Sequence, residues 1–206
     1  IVDQYADVLV IKLYSSAWAA HLDAITSVLQ ELLQPTTILL RLARDTERNI
    51  AAPLADGQVL YGPQAPGLVW FKENGLTFCC SPATGQKTGT FLDQRDNRAL
   101  VAHHSKDASM LDVFCCSGGF AVHAAAAGAK LVHGIDLSLH AINEVGVNLD
   151  ANRARLRADL TVESTVGDAF ETMEELVRTG RRFDIVVIDP PSFAPRESAV
   201  PMALRA

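Results

Sequence analysis

The stretch that most constrains the fold is LDVFCCSGGF, residues 111–120. An apolar run (Leu111, Val113, Phe114) ends in Cys116, Ser117, Gly118 and Gly119, and an alanine-rich segment of helical character follows. That order reads as strand, tight glycine turn, helix. Glycines let backbone N–H groups approach a ligand closely, and the N-terminus of the following helix favours electron-rich groups. Alone, the turn fits any nucleotide. Three acids downstream narrow it: Asp136 in HGID, Asp168 in GDAF and Asp189 in IDPPSF, each closing a strand-like run. Acids at successive strand ends predict a nucleotide-like cofactor held across the carboxyl edge of a parallel sheet.

From Met110 the alternation is regular. Strand-like runs at 111–114, 131–135, 160–166 and 183–188 alternate with helical segments at 120–129, 138–153 and about 169–179. Alternating segments of this kind predict a parallel sheet with right-handed crossovers. Ser138 is placed to cap the second helix, whose apolar stripe is Ala141, Ile142, Val145 and Leu149. The run DIVVI before Asp189 is almost wholly apolar, as in a strand covered on both faces.

Upstream, residues 8–14 and 37–42 read as strands. Between them Trp18, Leu22, Ile25, Leu29 and Leu32 recur at helical spacing until Pro35, and the stripe is expected to face the core. Residues 51–67 carry Pro53, Gly57, Gly62, Pro63, Pro66 and Gly67 and read as a loop or linker. The runs 68–73 and 76–81 flank Asn74-Gly75, a strong hairpin signal. The expected organisation is a small α/β domain over 1–67, a β-hairpin connector over 68–84 and a Rossmann-like domain over 85–206.

Composition sets the outer bounds. Apolar residues at 49% and charged residues at 20% suffice for a buried core and exclude disorder. No apolar run is long enough to span a membrane, and the first residues lack the features of a signal peptide. The chain starts without Met, as a piece of a longer one would. A net charge of −6 argues against a generic nucleic-acid coat and leaves room for a local basic patch. The four cysteines form two adjacent pairs with no CxxC, which suits a reduced, cytoplasmic chain. The six histidines show no metal-ligand spacing, so no metal is expected.

Asp136 follows Gly118 by about 18 residues, where a carboxylate can accept both hydroxyls of a ribose. That suits NAD and S-adenosylmethionine equally. The turn SGGF lacks the pyrophosphate fingerprint GxGxxG, and a dehydrogenase has no need of Asp189-Pro190-Pro191, so S-adenosylmethionine is favoured. Asp168 is suited to the exocyclic amine of adenine, with Ala169 and Phe170 beside the ring, or to a plain helix cap. Two prolines fix a rigid backbone after the last strand and aim their carbonyls and Asp189 into the crevice, a clamp for a planar base or an amide N–H. Asp189 and Pro190 are thus the catalytic candidates, with Pro191 and Phe193 beside the substrate. In GQKTGTFLDQRDNR, Lys87-Thr88 ends like a P-loop without meeting GxxxxGK[ST], so ATP is not implied. Arg95 and Arg98 fit either a solvated helix face or a basic lip over an anionic substrate.

Taken together, TGQKTGTFLDQRDNR, LDVFCCSGGFAVHAAAAGA, HGIDLS and FDIVVIDPPSFA resemble the RlmI-like family of S-adenosylmethionine-dependent methyltransferases, which form 5-methylcytosine in large-subunit ribosomal RNA. The resemblance spans nearly the whole chain. It implies a central α/β domain and part of a Rossmann-like catalytic domain, from a protein that also carries an RNA-binding PUA domain. It implies that Phe114, Cys116, Gly118, Asp136, Asp168 and Asp189 line the cofactor pocket, and that Lys87, Thr88, Phe91 and Arg95 belong to the loop covering it. The pair Cys115-Cys116 departs from relatives that carry a tyrosine there. The family's nucleophilic cysteine lies beyond the fourth strand, in a segment this sequence does not contain, and Cys115 and Cys116 read better as small buried hydrophobes.

Other acceptors, guanine N7 or an exocyclic amine, stay open, as does a non-catalytic RNA- or partner-binding module. In the usual strand order the DIVVID strand would have one unpaired edge, covered either by further residues or by a second copy in a homodimer. The piece alone is expected to be unstable or inactive.

Overall fold

The computed structural model describes residues 1–50, 54–85 and 87–191. They form two compact units, Ile1–Arg95 and Asp96–Ala206. The division falls after Arg95; the sequence reading drew a boundary at Gly85.

The first unit runs β1 (Val2–Tyr5), β2 (Val8–Leu13), α1 (Leu22–Leu33), β3 (Thr37–Leu42), α2 (Arg44–Asn49), β4 (Val59–Tyr61), β5 (Val69–Glu73) and β6 (Leu76–Cys80). Four strands make one sheet in the order β1-β2-β3-β4, with β2 and β3 parallel and both outer pairs antiparallel. Leu9, Ile11, Leu13, Ile38, Leu40 and Leu42 on one sheet face pack with Leu22, Ile25 and Leu29 of α1. The strand β4 lies inside the 51–67 segment read as a loop. Three residues on a sheet edge are too short for an alternation to show. Residues 51–53, Pro53 among them, lie outside the described residues.

Trp18 departs from the expected helical stripe and is 56% exposed, and Leu32 is exposed as well. Residues Ser16–His21 form a 3-10 helix that buries none of its side chains. At three residues per turn it falls out of phase with the α-helix it leads into, so the spacing seen in the sequence does not place Trp18 above Leu22. The hairpin β5–β6 turns through Asn74 and Gly75, both at positive φ (51° and 77°), as the dipeptide predicts.

The second unit holds α3 (Arg95–His103, from Asp96 on), β7 (Ser109–Val113), α4 (Gly119–Ala126), β8 (Leu131–Asp136), α5 (Leu139–Ala151), β9 (Thr161–Val166), α6 (Ala169–Arg178) and β10 (Ile185–Ile188). All four strands are parallel, in the order β10-β7-β8-β9. This is the Rossmann-like arrangement that the strand and helix alternation predicts. Ser138 caps α5 by accepting from the Ala141 N–H, and Ala141, Val145 and Leu149 are buried. The chain builds β7, β8 and β9 outward in one direction, then returns across the sheet to β10, so the switch point lies between β7 and β10.

One expectation fails at β10. Val186 and Ile188 are exposed while Ile185 and Val187 are half-buried. The apolar run DIVVI is therefore packed on one face rather than two. It is an edge strand, paired only with β7 among the described residues, as the usual strand order predicts for the fourth strand.

Candidate cofactor site

The carboxyl ends of the four parallel strands define one crevice edge, where open α/β sheets bind ligands. The turn after β7 is its centre. Phe114, Cys116 and Gly118 all take positive φ (63°, 49° and 77°). For an aromatic residue and a cysteine this conformation is strained, at about 1–2 kcal/mol each, and such strain concentrates at functional sites. Neighbouring elements hold it. The Cys115 N–H donates to Ile135 O at 3.0 Å, and the Cys116 N–H donates to Asp136 Oδ2 at 2.9 Å. Asn148 Nδ2 donates to Ser117 O at 3.0 Å from α5.

The two glycines are tied to packing. A Cβ added to Gly118 would stand 2.9 Å from Val145 Cγ1, and one added to Gly119 would overlap the Arg98 guanidinium. Glycine here lets α5 and Arg98 come close to the turn, in addition to freeing its N–H groups. Arg98 is 6% exposed, with its Cζ 5.9 Å from the Phe120 ring centroid. Neither sequence reading of Arg98, a solvated face or a basic lip, holds. Its charge is felt by Asp112, 1% exposed in the middle of β7.

Asp112 escaped the sequence reading. Its Oδ2 accepts from the Ala121 N–H at 3.0 Å, in the first turn of α4. Burial pushes its pKa up to about 7; the Ala121 N–H and the Arg98 charge oppose this, and Asp189 and Asp136 add to it. An acid between Leu111 and Val113 in a buried run was the signal that could have marked it.

The expected acids fall on the crevice edge. Asp136 ends β8; Oδ1 accepts from Ser138 N and Oδ2 from Cys116 N, both at 2.9 Å. One lone pair per oxygen remains for a ribose. Asp168 caps α6, with Oδ1 accepting from Phe170 N and Glu171 N. Oδ2 has no hydrogen bond among the described residues. Ala169 is buried beside it, and the Phe170 and Phe114 rings meet edge to face at 6.1 Å, forming an apolar wall. Asp189, Pro190 and Pro191 follow β10 and are exposed. Phe193 lies outside the described residues. This donor and acceptor set fits an adenosine-bearing cofactor.

Lys87, Thr88, Phe91 and Arg95 fall in the first unit. Thr88 is 2% exposed, and its hydroxyl donates to Asp3 Oδ2 at 2.6 Å and lies 3.0 Å from the Tyr5 hydroxyl. Lys87 O accepts from Lys12 Nζ at 3.0 Å, and its own Nζ sits 4.1 Å from the Phe91 ring centroid.

Cys115 is buried and Cys116 partly so, both as free thiols. Burial pushes both thiols up from their ordinary range. That is the behaviour of small core residues, as the sequence reading held, and not of thiolate nucleophiles.

A family model for S-adenosylmethionine-dependent methyltransferases matches residues 2–202. A ribosomal RNA large subunit methyltransferase of Deinococcus radiodurans is 40% identical over all of this chain and 50% of its own length. A ribosomal RNA large subunit methyltransferase I of Shewanella amazonensis is 33% identical over 99% of this chain and 50% of its own. The chain spans about half the length of the curated relatives it matches. Among solved structures, one described as a methyltransferase complexed with S-adenosylhomocysteine superposes with a TM-score of 0.79 at 26% identity, over 96% of this chain and 49% of that one. The chain belongs to the S-adenosylmethionine-dependent methyltransferase family.

Proposed function

We propose that this chain carries the methyl-donor site of an S-adenosylmethionine-dependent methyltransferase acting on large-subunit ribosomal RNA, with carbon 5 of a cytosine as acceptor. The observation that carries the reading is the set of Asp136, Asp168 and Asp189 at the carboxyl ends of one parallel sheet, around the strained turn that follows β7. When bound, S-adenosylmethionine supplies an electrophilic methyl group. The residues here bind and orient it. Asp136 accepts from the ribose hydroxyls, Asp168 Oδ2 from the adenine amine, and Phe114 and Phe170 wall the ring. Asp189, on a backbone made rigid by Pro190 and Pro191, holds the edge of the acceptor base. The family resemblance assigns Lys87, Thr88 and Phe91 to the cofactor as well. RNA of this kind places the work in the cytoplasm.

Carbon 5 of cytosine is a poor nucleophile, and its methylation requires a thiolate adding to carbon 6. Cys79, Cys80 and Cys115 are buried, and Cys116 is held protonated by burial. Cytosine chemistry therefore requires a thiol other than these four. Guanine N7, which needs no thiolate, stays as the alternative acceptor.

Calorimetric titration with S-adenosylhomocysteine tests the site. One equivalent bound, with none of NAD, is expected; no binding overturns the reading in favour of a non-catalytic module. Nucleoside analysis of methylated ribosomal RNA then separates the acceptors: 5-methylcytosine supports the first, 7-methylguanosine the second.

A further inference from the structure

We propose that the outer edge of β9 is the surface on which a second copy of this chain docks, the two β9 strands pairing antiparallel about a two-fold axis at Ser164. The contact is independent of the cofactor reading above. β9 closes the sheet at the end opposite β10 and pairs only with β8 among the described residues. Thr161 N donates to Lys130 O at 2.8 Å and Gly167 N to Asp136 O at 3.0 Å. Along a ladder of this kind the backbone groups alternate in direction. Thr161, Glu163 and Thr165 turn theirs to β8, and Val162, Ser164 and Val166 turn theirs outward. Those outward groups have no hydrogen-bond partner among the described residues.

This edge lacks the usual guards. Exposed edges are blunted by proline, lysine or a bulge. β9 has none of these, and Thr161, Val162, Thr165 and Val166 are β-branched, as suits a paired strand. It also leaves apolar side chains uncovered. Thr165 stands beside Ile135, whose cluster packs with Met173 and Leu176 of α6. Val162, Ser164 and Val166 therefore lie on the opposite sheet face, where Val162 and Val166 are each 47% exposed.

The occupant is a second copy because the edge is complementary to itself, as a two-fold contact requires. With the axis at Ser164, Val162 of each copy stands beside Val166 of the other, and Ser164 beside Ser164. Each pair exchanges both its backbone hydrogen bonds, and the exposed valines cover one another. On the α6 face, Glu163 of each copy stands opposite Thr165 of the other. Charge selects this register. Glu163 is the one charged residue of β9, and an axis at Glu163 would set two carboxylates directly opposite, where they repel. An axis at Thr165 would leave Val162 unpaired. With the axis at Ser164 the carboxylates lie diagonally, each bound by Arg181 Nη2 of its own chain at 2.7 Å and 3.2 Å from His133 Nδ1.

Sedimentation velocity of the chain, at concentrations up to about 100 µM, is expected to show a monomer–dimer equilibrium. Ser164 is exposed and lies outside the proposed cofactor site, so Ser164→Lys and Ser164→Glu should both keep the fold, as far-UV circular dichroism would show. Each sets like charges opposite one another at the axis and should weaken association at least about tenfold. Mixed in equal amounts, the two variants should recover the dimer, because opposite charges then meet. A loss of dimer through misfolding does not recover on mixing. A parent chain that stays monomeric throughout, a dimer that survives both substitutions, or variants that remain apart when mixed overturns the proposal.

Discussion

The backbone N–H of Cys116 donates to Oδ2 of Asp136 at 2.9 Å, so the acid that ends β8 holds the turn that follows β7. One side chain thereby positions the turn and faces the proposed ribose. Asp136→Ala removes both backbone acceptors and is expected to lower unfolding free energy by about 1–3 kcal/mol and to weaken S-adenosylhomocysteine at least about tenfold. Asp136→Asn keeps one oxygen and should fall between on both measures. Urea denaturation beside calorimetry checks the pair; unchanged cofactor affinity in the alanine variant removes Asp136 from the site.

Gly118 is constrained twice, by φ of 77° and by Val145 Cγ1 at 2.9 Å from an added Cβ. Gly118→Ala is expected to cost about 2–4 kcal/mol, roughly half from the left-handed backbone and the rest from overlap. Val145→Ala opens the space without touching the backbone. In the double variant the overlap cost should vanish and the backbone cost remain, a coupling of about 1 kcal/mol or more in a thermodynamic cycle. Strict additivity would show that Val145 yields without strain.

The second unit was legible because its signals are local. Each strand run ends in a cap or a turn, and Ser138 and Asp168 do cap the helices they precede. What stayed hidden depended on contacts distant in sequence. Arg98 reads as a surface charge until Gly119, far along the chain, opens the space that buries it. Asp112 looks like an interruption of an apolar strand until the Ala121 N–H accounts for it. Trp18 misled because helical spacing in a sequence does not distinguish a 3-10 turn from an α-helix. The role of Tyr5 was invisible for the same reason, since its partners lie more than eighty positions away.

Tyr5 centres a chain of hydrogen bonds in which Thr90 N donates to its hydroxyl at 3.2 Å. That hydroxyl lies 3.0 Å from Thr88 Oγ1, which donates to Asp3 at 2.6 Å. Tyr5→Phe leaves the buried Thr90 N–H without this acceptor and should cost about 1–3 kcal/mol in urea denaturation. Burial pushes the phenol up to about 12. In an alkaline titration, the phenolate absorbance lost in Tyr5→Phe is expected to be the part that appears above the ordinary phenol range. The folded state holds that proton longer than the unfolded one, so the stability Tyr5 contributes falls as pH rises from about 10 toward 12.

Asp112 makes a prediction of the same sign at lower pH. Burial raises its carboxyl from 3.8 to about 7, so between those values the folded chain holds a proton that the unfolded chain has released. Unfolding free energy should therefore fall as pH rises through that window, by at most about 4 kcal/mol. His133 acts oppositely near its upper end. Burial holds its pKa below the ordinary value, so its contribution grows as pH rises and deprotonates the unfolded histidine. Asp107, Asp159 and Asp184 are held low by hydrogen bonds, and what they contribute is lost only as pH drops below the window. The informative quantity is the difference between the parent chain and Asp112→Asn, measured by urea denaturation from about pH 4 to 8. The amide can still accept from the Ala121 N–H but does not titrate. That difference should move in favour of the variant with rising pH and level off above about 7; a difference independent of pH would mean that Asp112 is ionised throughout, paired with Arg98.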